Sequence, residues 1–316
     1  MKVVFFNTDE ILLKYYENKD FKGAEVIYTE LPPAKATNEH LDAEVISVIT
    51  HQSLDAEILS KFPNLKLIAT RSQGVNHIDM DYAAANNIAV KICHGYGEFA
   101  VPEFAMGILL ALMRRIIPAH NDMRNGFINM SKYVGNDING KTIGVFGMGT
   151  IGAAFARLAR AFGSRVIVYD LFQHDDFENV SLEELYAQSD IVALNIPATA
   201  ENYHIINAET IAKMKRGVII LNIARGELID VRALYDAVMS GQVGGVAQDV
   251  FEMEDETIGR SAPNNLSQEQ MEVIILNKKL MKTPRVIFTP HIAFNSIEAN
   301  LRILEMTYEN ILSVLK

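Results

Sequence analysis

The sequence predicts an α/β protein with two parallel-sheet domains. Three observations carry this expectation. Over the first hundred residues, short β-rich runs alternate with helical ones, the pattern that builds parallel sheets. At the centre, Lys141 to Asp170 reads as strand, glycine turn, helix and strand. Beyond Asp170 four more strand-like runs follow, which with the two central ones make six, enough for a complete doubly wound sheet. The chain has 316 residues, long for a single core, so two domains are expected.

In the first part, strands are predicted at residues 2–6, 25–28, 45–49, 65–69 and 88–92, with helical runs such as 55–61 and 78–86 between them. No glycine triplet follows the first strand, so this part is not expected to be the main nucleotide site. Its notable loop runs Arg71-Ser72-Gln73-Gly74-Val75-Asn76-His77-Ile78-Asp79. A glycine and exposed N–H groups there suit an anion, and they suit an ordinary strand–helix turn equally well. After Cys93 to Glu98 a long helix is expected from about 101 to 120, with Pro102 in its first turn. Its run FAMGILLALM is apolar on nearly every face, so burial on several sides is expected, between domains or between subunits. Residues 125–139 are polar and contain glycine, and read as the approach to the next domain.

The central stretch, KTIGVFGMGTIGAAFARLARAFGSRVIVYD, begins with a β-rich run at residues 142–146. Gly147, Gly149 and Gly152 follow in G-x-G-x-x-G spacing, and a helix opens at Thr150 and Ile151. Each part suits a dinucleotide. Gly147 permits a tight turn, Gly149 lets the backbone approach a pyrophosphate, and Gly152 allows close helix–strand packing. The helix N-terminus offers N–H groups to the phosphates. A second strand ends at Asp170, 18 residues past Gly152, where a carboxylate can accept hydrogen bonds from a ribose diol.

The later strands are predicted at 191–195, 218–222, 245–248 and 286–289. In such sheets a ligand lies beyond the carboxyl ends of the strands, and the sequence puts its polar groups there. Asn195-Ile196-Pro197 ends the third strand of this domain, and Asn222-Ile223-Ala224-Arg225-Gly226 the fourth. Asp249 to Glu254 follows the fifth, and Thr289-Pro290-His291 the sixth. The tail is a predicted amphipathic helix, with Ile297, Leu301, Leu304, Tyr308, Ile311 and Leu315 on the face that docks, and it is expected to return to the first domain.

Composition excludes several roles. A net charge of -10 argues against nucleic acid or an anionic membrane as the main partner. The single cysteine, Cys93, rules out an intrachain disulfide, and a cytoplasmic setting is the expectation. The opening MKVVFFNTDE lacks the long apolar run of a signal peptide, and the most apolar stretch, residues 104–113, is too short to span a bilayer. No metal site is expected.

Oxidation of an alcohol by a nicotinamide needs a base for the hydroxyl proton, and imidazole suits this near neutral pH. His291 is the candidate, serving as acid in reverse. Glu254 is the chosen carboxylate to orient that imidazole and favour its protonated form. Arg225 offers a planar fork for a substrate carboxylate or the reacting carbonyl. Asp249 is read as orienting the carboxamide of the cofactor. Taken singly, each has a plainer reading: a packing histidine, a surface arginine, a solvated acidic run from Glu252 to Glu256.

Together the motifs GMGTIG, YD, NIARGELID, DVFEME and TPHIAF resemble the D-isomer-specific 2-hydroxyacid dehydrogenases. The similarity runs nearly end to end and includes RSQGVNHID and GYGEFAVPEFAMGILLALMRR. The resemblance implies two Rossmann-like or flavodoxin-like domains with the active site in the interdomain cleft. One domain would be discontinuous, residues 1–98 plus 295–316, and would bind substrate; residues 99–294 would bind NAD. It implies Arg225 as carboxylate binder, Glu254 and His291 as the acid–base pair, and Asp170 on the adenosine ribose. The cofactor set is then Gly147, Gly149, Thr150, Ile151, Gly152, Asp170, Asn195, Pro197, Ile223, Ala224, Asp249, His291 and Ala293. Gln73 and Gly74 would join Arg225 on the substrate carboxylate. Family members are commonly dimers, with the long apolar helix in the interface. Tyr96, Phe294 and the long segment between Glu254 and His291 resemble the D-lactate dehydrogenase branch, so pyruvate and D-lactate are the expected pair. Glyoxylate/hydroxypyruvate reductase, phosphoglycerate dehydrogenase and a nucleotide-sensing corepressor are the alternatives.

Overall fold

The computed structural model describes residues 1–50, 53–261 and 265–315. The chain forms two compact units, Met1–Tyr96 with Asn295–Lys316, and Gly97–Phe294. The first boundary falls two residues before the 98/99 expected from the sequence, and the second lies between 294 and 295.

In the first unit the elements run β1 (Lys2–Phe5), α1 (Glu10–Tyr16), β2 (Glu25–Tyr28), α2 (Asn38–Leu41), β3 (Val45–Val48), α3 (Ala56–Leu59), β4 (Leu67–Thr70), α4 (Met80–Ala85) and β5 (Ala89–Lys91). The strands form a parallel sheet in the order β2-β1-β3-β4-β5. Every residue of β3 and β4 is buried, as mainly apolar strands covered on both faces must be. Asp9, Asp55 and Asp79 cap the N-termini of α1, α3 and α4 by accepting from backbone N–H groups.

In the second unit the order is α5 (Ala100–Met113), α6 (Ile116–Arg124), β6 (Thr142–Phe146), α7 (Thr150–Ala161), β7 (Arg165–Tyr169), β8 (Glu178–Asn179), α8 (Leu182–Gln188), β9 (Ile191–Leu194), α9 (Ala208–Ala212), β10 (Val218–Asn222), α10 (Val231–Ser240), β11 (Val243–Gln248), α11 (Glu254–Ile258), α12 (Gln268–Met281) and β12 (Val286–Phe288). Its sheet, wholly parallel, is ordered β12-β11-β10-β9-β6-β7-β8. Six of these strands match those read from the sequence. The seventh, β8, is two exposed polar residues without an apolar pattern to announce it.

The helix expected from 101 to 120 is two helices. Arg115 takes φ +57° between α5 and α6. The reason lies in Pro118, whose ring would clash with the carbonyl of residue 114 in a continuous helix and has no N–H to bond it. Six residues of α5, Ala105, Met106, Ile108, Leu109, Leu112 and Met113, join one core with Ile143, Val145, Phe155 and Ala156 of the same unit. The apolar circumference of α5 is therefore largely satisfied at home.

The tail forms α13 (Ile297–Leu312), capped by Ser296 and grouped with the first unit. Leu304, Ile311 and Leu315 share a core with Val3, Phe5, Val45, Leu67 and Ala69. The buried face differs in part from the one read off the spacing. It uses Ala299, Ile303, Leu304, Thr307 and Ile311, while Ile297 and Leu301 face solvent.

Candidate active site

The site begins at the end of β6. Gly147 takes φ +92°, and a Cβ on it would come within 2.6 Å of Ile196 Cγ2 and 2.8 Å of the Asn195 carbonyl oxygen. A Cβ on Gly152 would sit 1.9 Å from the Gly147 carbonyl oxygen, so α7 can approach the turn only with glycine there. Gly149 is the residue before α7, and a Cβ on it would meet nothing within 4 Å. The N-terminus of α7, at Thr150 and Ile151, follows directly; the first N–H groups of a helix lack intrahelical partners and favour anions. Asp170, just past β7, accepts from Met148 N at 2.6 Å through Oδ2 and from Phe172 N at 3.1 Å through Oδ1. Those bonds pin the carboxylate against the glycine turn.

Asn195, past the end of β9, donates to the Ala193 carbonyl at 3.2 Å, and its Oδ1 is buried with no hydrogen-bond partner. The carbonyl of Pro197 accepts from Asn202 at 2.7 Å. The open cradle at Gly149, the pinned Asp170 and the orphaned oxygen of Asn195 fit a bound dinucleotide.

Asn222, fully buried at the end of β10, builds the next turn. Its Oδ1 accepts from Ala224 N at 3.0 Å and its Nδ2 donates to the Arg225 carbonyl at 2.8 Å. Ile223 is buried beside it. The Arg225 guanidinium donates to the Ala224 carbonyl at 2.6 Å and has no carboxylate partner among the described residues. The neighbouring Gly226 lies against the turn after β11, where a Cβ would come within 2.3 Å of the Phe251 carbonyl carbon.

His291 and Glu254 meet directly, with Nδ1 2.7 Å from Glu254 Oε1. A carboxylate accepts, so Nδ1 carries the proton in that bond and exchange with substrate falls to Nε2. Unusual backbone supports the pair. His291 has φ +57°, and Met253, just before Glu254, has φ +54°.

Asp249 directly follows β11. Only 1% exposed, it accepts from Thr289 Oγ1 at 2.6 Å, Ile292 N at 3.0 Å and Ala293 N at 2.7 Å, while its carbonyl accepts from His291 N at 2.9 Å. Its acceptors hold the turn that carries His291.

Sequence reasoning missed Arg260. Its Nη2 donates to the Pro290 carbonyl at 2.8 Å and its Nη1 lies 3.6 Å from Asp255. It places a cation beside the His291 turn from 31 residues away in sequence, and no local motif marks it.

In the first unit, the Arg71 guanidinium is buried under the loop it opens. It donates to the carbonyls of Phe6 and Asn7 at 2.6 and 3.1 Å and to Ser47 Oγ at 3.2 Å. Burial pushes it down to about 10. Ser72 Oγ donates to the Gly74 carbonyl at 2.8 Å, and Gln73 Oε1 accepts from Gly95 N at 3.3 Å. Gln73, Gly74 and the Gly95–Tyr96 stretch are thus neighbours, with the Tyr96 carbonyl accepting from Arg302 at 2.9 Å.

Comparison with known proteins gives the family. Residues 106–293 match the model of the NAD-binding domain of D-isomer-specific 2-hydroxyacid dehydrogenases. A 2-hydroxyacid dehydrogenase homolog of Haemophilus influenzae is 33% identical, the match covering 98% of this chain and 95% of that protein. A glyoxylate reductase of Thermofilum pendens is 35% identical over 87% of this chain and 79% of its own length. Among solved structures, the D-lactate dehydrogenase of Aquifex aeolicus, complexed with NAD and lactic acid, is 34% identical with a TM-score of 0.85, covering 97% of this chain and 93% of that one.

Proposed function

The chain belongs to the D-isomer-specific 2-hydroxyacid dehydrogenases, with NAD as cofactor, and from that membership we propose that it interconverts a small 2-oxo acid and its D-2-hydroxy acid, pyruvate and D-lactate first. The observation that carries the proposal is the 2.7 Å pair of His291 and Glu254, beside an Arg225 that no carboxylate of the described residues engages.

The residues divide the work as follows. Gly147, Gly149 and Gly152 with the start of α7 hold the pyrophosphate, and Asp170 holds the adenosine ribose. Asn195, Pro197, Ile223, Ala224 and Ala293 complete the cofactor side. Bound NADH supplies a hydride to the carbonyl carbon of a 2-oxo acid. Arg225 orients the substrate carboxylate with two parallel donors. His291 Nε2 gives its proton to the carbonyl oxygen, and Glu254 steadies the imidazole through Nδ1 as the proton leaves. Gln73, Gly74, Tyr96 and Phe294 complete the substrate set on the resemblance alone. Aromatic Tyr96 and Phe294 around the C3 end favour a methyl group.

A second reading, reduction of glyoxylate or hydroxypyruvate, draws support from the Thermofilum pendens relative. An apolar pocket rejects an added hydroxyl by only about 10²-fold. The deciding measurement is kcat/KM with NADH for pyruvate, 2-oxobutyrate, glyoxylate, hydroxypyruvate and phosphohydroxypyruvate. Pyruvate is expected to lead; a lead of more than about tenfold by hydroxypyruvate or its phosphate, equal to about 1.4 kcal/mol, would replace the lactate assignment. His291→Ala is expected to lower kcat by roughly 10²–10⁴-fold with NADH affinity little changed. Unchanged turnover would remove His291 from the mechanism.

A further inference from the structure

Glu252 stands two residues before Glu254, in the acidic run that the sequence reads as solvated. The structure withdraws it from solvent: its side chain is 17% exposed. Its Oε1 accepts from the Tyr203 hydroxyl at 3.1 Å and lies 3.2 Å from His204 Nε2. The Tyr203 and His204 rings stack at 3.9 Å. The Glu252 carbonyl accepts from Nδ2 of Asn277, a fully buried residue of α12, at 2.7 Å.

Three segments converge here. His204 takes φ +51° and its N–H donates to the Glu227 carbonyl at 2.9 Å, tying the segment after β9 to the turn that begins at Arg225. Gly226 of that turn would put a Cβ 2.5 Å from Glu252 N. Met253 follows in left-handed backbone, which a residue with a side chain holds only when its neighbours fix it. On the Glu254 side the fixing bond is long, Phe251 N to Glu254 Oε2 at 3.4 Å. On the other side stands the Tyr203–His204 clasp.

We infer that Glu252 is a positioning residue for the acid–base pair: clasped by Tyr203 and His204, it holds the Phe251–Glu254 turn so that Glu254 reaches His291, and keeps the Arg225 turn in register with it. The inference rests on the reading of His291 and Glu254 as the acid–base pair. Glu252 does not touch substrate; it acts through Glu254. The charges around the clasp support its strength. Burial first, then Glu252, with Glu269 and Asp230 beyond it, push the Tyr203 phenol up to about 12, so it remains a donor through the neutral range. Glu269 is itself paired with Arg232 at 3.1 Å, and Arg232 also pairs with Glu272 at 3.0 Å. Around the clasp stand the His204 imidazole and the carboxylates of Glu252, Asp230 and Glu269.

The test is the pH profile of kcat with NADH and the best 2-oxo acid, measured for Glu252→Ala, Glu252→Gln and His291→Ala. Loss of the clasp is expected to misplace Glu254, lowering kcat by about 10–100-fold in Glu252→Ala, in line with the cost of a displacement of about 1 Å. It is also expected to move the profile's alkaline limb to lower pH, because a carboxylate moved away from an imidazole no longer favours its cation. NADH affinity should stay within about twofold. Glu252→Gln keeps an acceptor for the Tyr203 hydroxyl and is expected to recover most of the lost rate. A wild-type profile in Glu252→Ala, or a fall in kcat with the limb unmoved, overturns the inference. Unchanged turnover in His291→Ala would instead overturn the acid–base reading beneath it. Should Glu252→Ala fail to fold, Tyr203→Phe and His204→Ala each remove one arm; smaller shifts in the same direction support the clasp, and wild-type profiles in both reject it.

Discussion

Asp249 keeps its carboxylate for the turn it shares with His291, and that choice has a measurable cost. Asparagine in its place turns one acceptor into an NH₂ group facing a donor, either the Thr289 hydroxyl and Ile292 N–H or the Ala293 N–H. Asp249→Asn is expected to lower stability by about 1.5–3 kcal/mol, the value of a buried hydrogen bond to a charged group, and to reduce kcat as the His291 turn loosens. A wild-type denaturation midpoint would take Asp249 out of that role. Asp170 gives a second expectation at this scale. Its oxygens are fixed by the Met148 and Phe172 amides, so a 2′-phosphate on the ribose would face a carboxylate that cannot swing away. Such repulsion costs several kcal/mol, and kcat/KM for NADH should exceed that for NADPH by at least about 10²-fold. Near-equal values would point to His174, whose Nε2 lies 3.8 Å from Asp170, as an offsetting cation.

The elements show where sequence patterns speak and where they fall silent. Strands buried on both faces, such as β3, β4 and β9, announce themselves as apolar runs, and the glycine spacing announces the β6–α7 turn. The site residues at strand ends were legible because a polar residue stops such a run. Pro118 carried the break between α5 and α6 in plain view, but the apolar run before it dominated the reading. Two-residue β8 has no pattern at all, and Arg260 reaches Pro290 through a contact that only the folded chain creates. Asp190, just before β9, ties these elements together. Burial raises its carboxyl, but the Thr142 amide at 2.8 Å and the Lys215 ammonium at 2.9 Å outweigh that and hold it below the usual range. A carboxyl lowered by folding stabilises the fold above its unfolded value of about 3.9, and that stability disappears as pH falls through the folded value. With a third of the side chain in solvent, Asp190→Asn is expected to cost about 1 kcal/mol at pH 7. The gap in urea midpoint between the two proteins should shrink by pH 3. A gap that persisted or widened in acid would mean that hydrogen-bond shape, not charge, is what Asp190 contributes.

For the whole molecule, self-association is an expectation, and the exposed apolar side chains suggest a surface for it. The sequence assigned a dimer interface to α5, yet α5 spends its apolar surface in its own core. Large apolar side chains reach solvent further on, at Ile116, Ile117, Met123, Phe127, Ile128, Met130 and Val134. We expect a homodimer formed through this stretch, seen in sedimentation velocity as twice the 35.2 kDa of one chain. Replacing Phe127 and Met130 by aspartate should release monomers. A monomeric mass for the unaltered protein at working concentration would end the idea. Among the described residues no helix is long and apolar enough to cross a membrane, so a bilayer-spanning helix does not compete for these side chains.

The joining of α13 to the first unit sets an order of events during synthesis. Val3, Phe5, Val45, Leu67 and Ala69 emerge from the ribosome well before Leu304 and Ile311, which complete their core. All of residues 97–294 must be made in between, and at roughly 5–20 residues per second that takes some tens of seconds or less. Through that interval the nascent first unit presents an unfinished apolar face, and by its end the second unit has its whole sequence and is free to fold. A chain stopped near residue 295 would therefore be released with one finished domain and one permanently open one, a natural client for a chaperone and an early target for a protease.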